Sequence, residues 1–178
     1  MEPAAARNPG LYPLTGMPLT ASRLSKRGLI AAILGNWLEF YDFTVYGLFA
    51  ITIGRQFFPG ETEAGRLLLS LATFGVGFVM RPLGGVVFGA YADRRGRKAA
   101  LTLTIAIMAL GTAMIGLTPS YAQIGIAAPL LIVLARLLQG LSAGGEMGAA
   151  TTYLVELSPP GKRGFFGAWQ YASQGLAS

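Results

Sequence analysis

Residues 67–92 read LLLSLATFGVGFVMRPLGGVVFGAYA, a run of 26 residues with a single charge, Arg81. The hydrocarbon core of a bilayer is ~30 Å thick, so about 20 apolar residues cross it as a helix. In lipid the backbone has to satisfy its own polar groups, and a helix does so within one segment. Directly after the run comes Asp93-Arg94-Arg95-Gly96-Arg97-Lys98, the most densely charged stretch of the chain. An apolar helix that ends in a basic turn sets the membrane reading from which the rest of the chain is read.

Outward from this stretch the pattern repeats. Gly28 to about Ile53 is apolar except for Glu39 and Asp42, Ala99–Leu117 carries no charge, and about Ile124 to Val155 is interrupted only by Arg136 and Glu146. These give four expected spans, 28–53, 67–92, 99–117 and 124–155. A fifth apolar segment, 164–178, has only 15 residues, short of the ~17–25 that cross. The expectation is of a fragment, or of a truncated reading frame, stopping within a helix. Residues 1–27 are polar, rich in Pro and Gly, hold no apolar run of signal-peptide length, and read as a cytoplasmic lead-in.

Composition agrees. Of 178 residues 53% are hydrophobic and 12% charged, against about 25% charged in soluble domains. Mean hydropathy is +0.53. These values argue against a disordered tail, a coiled coil or an ordinary soluble enzyme. Cys and His are both absent, which removes thiolate chemistry, Cys-based metal sites and the commonest general base and metal ligand.

The 14 Lys and Arg outnumber 8 Asp and Glu, and their placement gives an orientation. The lead-in has four (Arg7, Arg23, Lys26, Arg27), the second link has four (Arg94, Arg95, Arg97, Lys98) and the fourth has Lys162 and Arg163. The alternate links hold only Arg55 and Arg66. The N-terminus and the basic loops are therefore expected in the cytoplasm of a multi-pass plasma-membrane protein. Positive charge divided among helix ends forms no basic face, so nucleic acid is not expected as a partner, while lipid head groups are.

Charges inside a span cost at least ~2.5–3.5 kcal/mol each and need a reason to be there. Gly35, Glu39, Asp42 and Tyr46 are spaced by four, three and four and share one helical face. Arg81 lies on a stripe with Gly77, Gly85 and Gly89, where another backbone can approach, and Pro82 removes a backbone hydrogen bond beside it. At 1.5 Å per residue Glu39 and Arg81 lie ~16 and ~15 Å from the cytoplasmic ends of their spans. Opposite charges at one depth predict a buried cluster of Arg81 with Glu39 and Asp42. Such a cluster would hold an anionic group and let a carboxylate exchange a proton as its environment changes. In the fourth span Gly140, Gly144 and Gly148 form a close-packing ladder beside a second stripe, Arg136, Gln139, Ala143 and Glu146. The competing reading is that these charges only pair and hold helices together.

The string Gly89-Ala-Tyr-Ala-Asp93-Arg94-Arg95-Gly96-Arg97-Lys98 resembles the signature between helices 2 and 3 of the major facilitator superfamily, with Tyr91 its unusual letter. Asp93 is expected to cap the helix that follows, and Gly96 to allow the turn. Glu156, with Arg163 seven residues on, is similar to the superfamily's acidic–basic pair after helix 4, and Arg136-Leu-Leu-Gln-Gly140 to its helix 4 motif. Residues 35–47, GNWLEFYDFTVYG, together with Met80-Arg-Pro-Leu-Gly-Gly85 and Gly140-Leu-Ser-Ala-Gly-Gly-Glu146, resemble the metabolite:proton symporters, carriers of citrate, α-ketoglutarate, shikimate and proline/betaine.

The resemblance implies an all-α membrane protein, here about four and a half helices from the N-terminal part of a twelve-helix fold. By the same resemblance it would act as part of a longer, monomeric carrier in a bacterial inner membrane. The substrate would be a small organic acid, an amino acid or a betaine, and the proton would be the coupling ion with no cofactor. Glu39, Asp42 and Arg81 would face the cavity, with Arg136 and Glu146 as further substrate or proton residues. Gly89, Asp93, Arg94, Gly96, Arg97, Glu156 and Arg163 would form a cytoplasmic gate. Enzyme readings fail on context. Gly140-Leu-Ser142-Ala-Gly144 matches a nucleophile elbow but lies in a membrane helix with no His to act as base, so Ser142 is expected to be a small packing residue. Gly161-Lys-Arg-Gly lacks the rest of a phosphate loop. The rival from another class is a small four-helix membrane scaffold or partner subunit.

Overall fold

The structure is a computed structural model that describes residues 26–156, 158–159 and 161–177; the side chains of residues 26–29, 31 and 156 lie outside that description. The lead-in expected over 1–27 lies outside the described residues up to residue 25. Seven helices follow in order: α1 (Lys26–Leu48), α2 (Ala50–Phe57), α3 (Glu63–Arg95), α4 (Arg97–Leu117), α5 (Tyr121–Ile124), α6 (Ala127–Glu156) and α7 (Arg163–Gly175). Among the described residues there is no strand, so the all-α expectation holds. Three helices, α3, α4 and α6, are long and apolar enough to cross a membrane. In α1 the polar side chains of Asn36, Glu39 and Asp42 dilute an otherwise apolar run.

The segment expected over 28–53 divides at Phe49 and continues to Phe57. The ladder carries on across the division, since Phe49 N–H donates to Val45 O at 3.0 Å and Ile53 N–H to Phe49 O at 2.8 Å. Thr62 starts α3, its side chain accepting from Gly65 N–H at 3.1 Å, a hydroxyl cap for an orphan donor. The helix then runs unbroken through Pro82 for 33 residues. Gly96 separates it from α4 with φ +90° and ψ 152°, backbone a side chain rarely tolerates. The cap expected from Asp93 does not form. Gly96 itself occupies the N-cap position of α4, and Asp93, in the last turn of α3, instead pairs with Arg97 at 3.2 Å. Before α6, the Gln123 side chain accepts from the Ser120 N–H at 3.0 Å at the start of α5, and Gly125 turns the chain at φ +58°.

The long helix α6 packs against α3 on one side and α4 on the other, with α1 and α7 also against it. Small residues make the α3–α6 approach possible. A side chain on Gly140 would collide with the Gly77 backbone, and one on Gly144 with the carbonyl of Arg81. This is the close packing on which helices rely where lipid supplies no hydrophobic drive. The expected ladder stops short of Gly148, and the expected stripe of α3 short of Gly89, because the space around both is open. α7 is joined to α1 and to α6 by hydrogen bonds. The Asn36 side-chain amide donates to Gln170 O at 2.8 Å and to Ser173 Oγ at 2.6 Å, and Thr151 Oγ1 bonds Gln170 Oε1 at 2.5 Å.

Candidate substrate and proton site

The close α3–α6 contact brings the charged positions of both helices to the polar face of α1. Glu39 is 1% exposed and faces Arg81, with Oε1 3.8 Å from Nη2. That is an ion-pair distance too long for a hydrogen bond. Neither Glu39 Oε1 nor Arg81 Nε and Nη2 has a hydrogen-bond partner. The Arg81 guanidinium is held by rings instead, 4.5 Å from the Phe43 centroid and 4.2 Å from that of Phe78. The ring faces attract the cation while leaving its in-plane donors unused.

Asp42 was expected in the same cluster. The structure places it three residues along α1 with a different cation: Arg136 Nη1 donates to Asp42 Oδ2 at 2.7 Å. Gln139 Nε2 donates to Asp42 Oδ1 at 3.3 Å and to Thr112 Oγ1 at 2.9 Å. Arg136 is 3% exposed and lies 3.7 Å over the Tyr46 ring, whose hydroxyl donates to Ser70 O at 3.1 Å. The physical reason for the division is reach: α6, through Arg136, presents the cation nearest to Asp42, and α3, through Arg81, the one that faces Glu39.

Glu146 is 2% exposed, and its carboxyl fills the space that a side chain on Gly35 would take, one turn of α1 from Glu39. Its Oε1 also has no hydrogen-bond partner. A cavity of about 550 Å³ opens between α1 and α4, lined by Leu38, Tyr41, Asp42, Met108, Thr112 and Glu146 among others. Two ion pairs of unlike character, each with one buried and one half-buried member, therefore stand side by side. Asp42–Arg136 is short and tied by further donors, whereas Glu39–Arg81 is long and leaves both groups with unused hydrogen-bonding capacity.

Of the residues expected at a gate, Asp93 in the last turn of α3 pairs with Arg97 at the start of α4. Arg94 and Arg163 are exposed, and the side chain of Glu156 lies outside the described residues. Ser142 does pack at a helix contact, and its hydroxyl is also engaged, donating to Thr104 O at 2.5 Å. Phe43, Phe78 and Thr112, which touch Arg81 and Gln139, are not among the expected site residues. Phe78 lies three residues before Arg81 and Phe43 four after Glu39, so helical spacing alone could have drawn attention to both.

The chain matches the sugar (and other) transporter family over residues 28–173. It is 51% identical to the citrate-proton symporter of Salmonella typhi over 157 residues, covering 86% of this chain and 36% of that protein. It is 49% identical to the glycine betaine/proline/ectoine/pipecolic acid transporter of Dickeya dadantii over 144 residues, covering 81% and 29%. To the proline/betaine transporter of Escherichia coli K12 it is 46% identical over 144 residues, again 81% and 29%. The chain thus spans about a third of the length of these relatives. No solved structure matches it.

Proposed function

Because the chain belongs to the sugar (and other) transporter family of the major facilitator superfamily, we propose that it supplies the charged half-site of a proton-coupled carrier for a small carboxylate-bearing solute. The observation that carries this reading is the Glu39–Arg81 pair, with Glu39 buried and Arg81 half-buried, 3.8 Å apart and without a hydrogen bond. A solute carboxylate can take the free donors of Arg81 as a charge-assisted pair. Glu39, released from its cation in a low-dielectric setting, then takes up a proton, because an isolated buried carboxylate is costly. Solute and proton so occupy the site together, and loss of either favours return of the ion pair. The named solutes of the relatives, citrate, proline and betaine, share the carboxylate that this step needs.

Asp42 and Arg136 serve in this reading as the frame that holds α1 against α6, and Glu146 as a second proton acceptor one turn from Glu39. The reading needs no cofactor and no catalytic step. The unequal charge of the loops supports a cytoplasmic N-terminus in a bacterial inner membrane, with Asp93 and Arg97 at a cytoplasmic gate together with Gly89, Arg94, Gly96, Glu156 and Arg163.

The test is uptake by vesicles holding a carrier that includes this chain, driven by an imposed pH gradient. Accumulation of a labelled carboxylate that an uncoupler abolishes and sodium leaves unchanged is expected. Accumulation that follows a sodium gradient and ignores the uncoupler would overturn the coupling.

A further inference from the structure

Away from the charge cluster, the turn between α3 and α4 holds a second cavity. It is an open groove of about 580 Å³, lined by Arg95, Lys98, Ala99, Thr102, Leu103 and Ala106. Five of the six belong to the first three turns of α4 and recur on one face of it. Two cations stand at the mouth of the groove and its floor is apolar. Arg95 and Lys98 are both exposed, and among the described residues neither takes part in an ion pair. Their neighbour Arg97 is committed to Asp93. The groove begins at the Gly96 turn and runs along the first three turns of α4, a helix long and apolar enough to cross a membrane.

A soluble anion would use the cations and leave the apolar floor bare, and an apolar helix would cover the floor and leave two charges without partners. An anionic phospholipid satisfies both, with phosphate at Arg95 and Lys98 and the first acyl methylenes along Ala99, Leu103 and Ala106. We propose that this groove is a specific binding site for one anionic phospholipid, such as phosphatidylglycerol. The site stands apart from the Glu39–Arg81 pair and does not depend on what is transported.

The experiment is lipid retention by the purified chain in detergent, with phosphatidylglycerol or phosphatidylcholine added and bound lipid counted by native mass spectrometry. One phosphatidylglycerol per chain is expected to persist where phosphatidylcholine does not. Each surface cation contributes ~1 kcal/mol to anionic-lipid binding, so R95Q/K98Q is expected to weaken retention roughly thirtyfold. R66Q/K162Q removes the same charge outside the groove and is expected to leave retention unchanged. A106F fills the groove with both cations intact and is expected to weaken it. Equal retention of the two lipids, equal loss in both double variants, or an unaffected A106F protein would each overturn the site.

Discussion

Arg136 Nη1 stands 2.7 Å from Asp42 Oδ2 across the α1–α6 contact, in a bundle whose long helices are apolar enough to lie in a membrane. Removing one member of a buried pair leaves the other charge without a partner, at a cost of about 3–5 kcal/mol. Asp42→Ala is expected to lower stability by about that amount. Asp42→Leu combined with Arg136→Met is expected to recover most of it, because neither charge is then stranded. Thermal unfolding in detergent, followed by circular dichroism, reads both. A D42A protein that melts with the wild type would show that the pair is not structural.

The glycines of α6 are predicted to differ in tolerance. Gly144→Val drives a side chain into the Arg81 carbonyl, and overpacking of this kind costs about 1–3 kcal/mol. Gly148→Ala meets open space and is expected within ±0.5 kcal/mol of wild type. The same melting experiment compares them, and equal losses at the two positions would contradict the α3–α6 packing.

The chain has no cysteine, so single cysteines report topology cleanly. Ser120→Cys, in the uncharged link, is expected to react with a membrane-impermeant maleimide in intact cells. Lys162→Cys is expected to react only after permeabilisation. The opposite pattern would reverse the orientation, and with it the placing of the Asp93–Arg97 pair at the cytoplasmic face.

For Arg81 the expected outcome is loss of function with the fold retained. In a carrier that includes this chain, Arg81→Ala is expected to reduce uptake of a carboxylate at least about tenfold, the loss of one charge-assisted pair. Arg81→Lys is expected to keep part of it, since lysine offers a charge without the planar fork. Uptake unchanged in R81A would remove Arg81 from the site.

The fold was legible in the sequence because lipid imposes a strong condition: long apolar runs broken at Gly96 and Pro119 leave few alternatives to a helical bundle. Glu39 does face Arg81, as rise per residue alone predicts. Asp42 does not, because depth says nothing of which neighbour lies nearest, and α6, not α3, presents the closer cation. The hydrogen bonds of Asn36 to α7 were equally out of reach, for their partners lie 134 and 137 residues away and are mostly backbone or small hydroxyl groups. The Asp93 cap was misread from its place before Gly96, where the pair with Arg97 four residues on proved the better use of its charge.

In the proposed function Glu39 exchanges its pairing with Arg81 for a proton as solute binds. Glu39→Gln in a carrier that includes this chain tests it most directly, with two readouts from the same vesicles. Exchange of labelled for unlabelled solute at equilibrium is expected to persist, while accumulation driven by a pH gradient is expected to fall to the equilibrium level. Proton-driven accumulation by the E39Q carrier at the wild-type level would contradict the account.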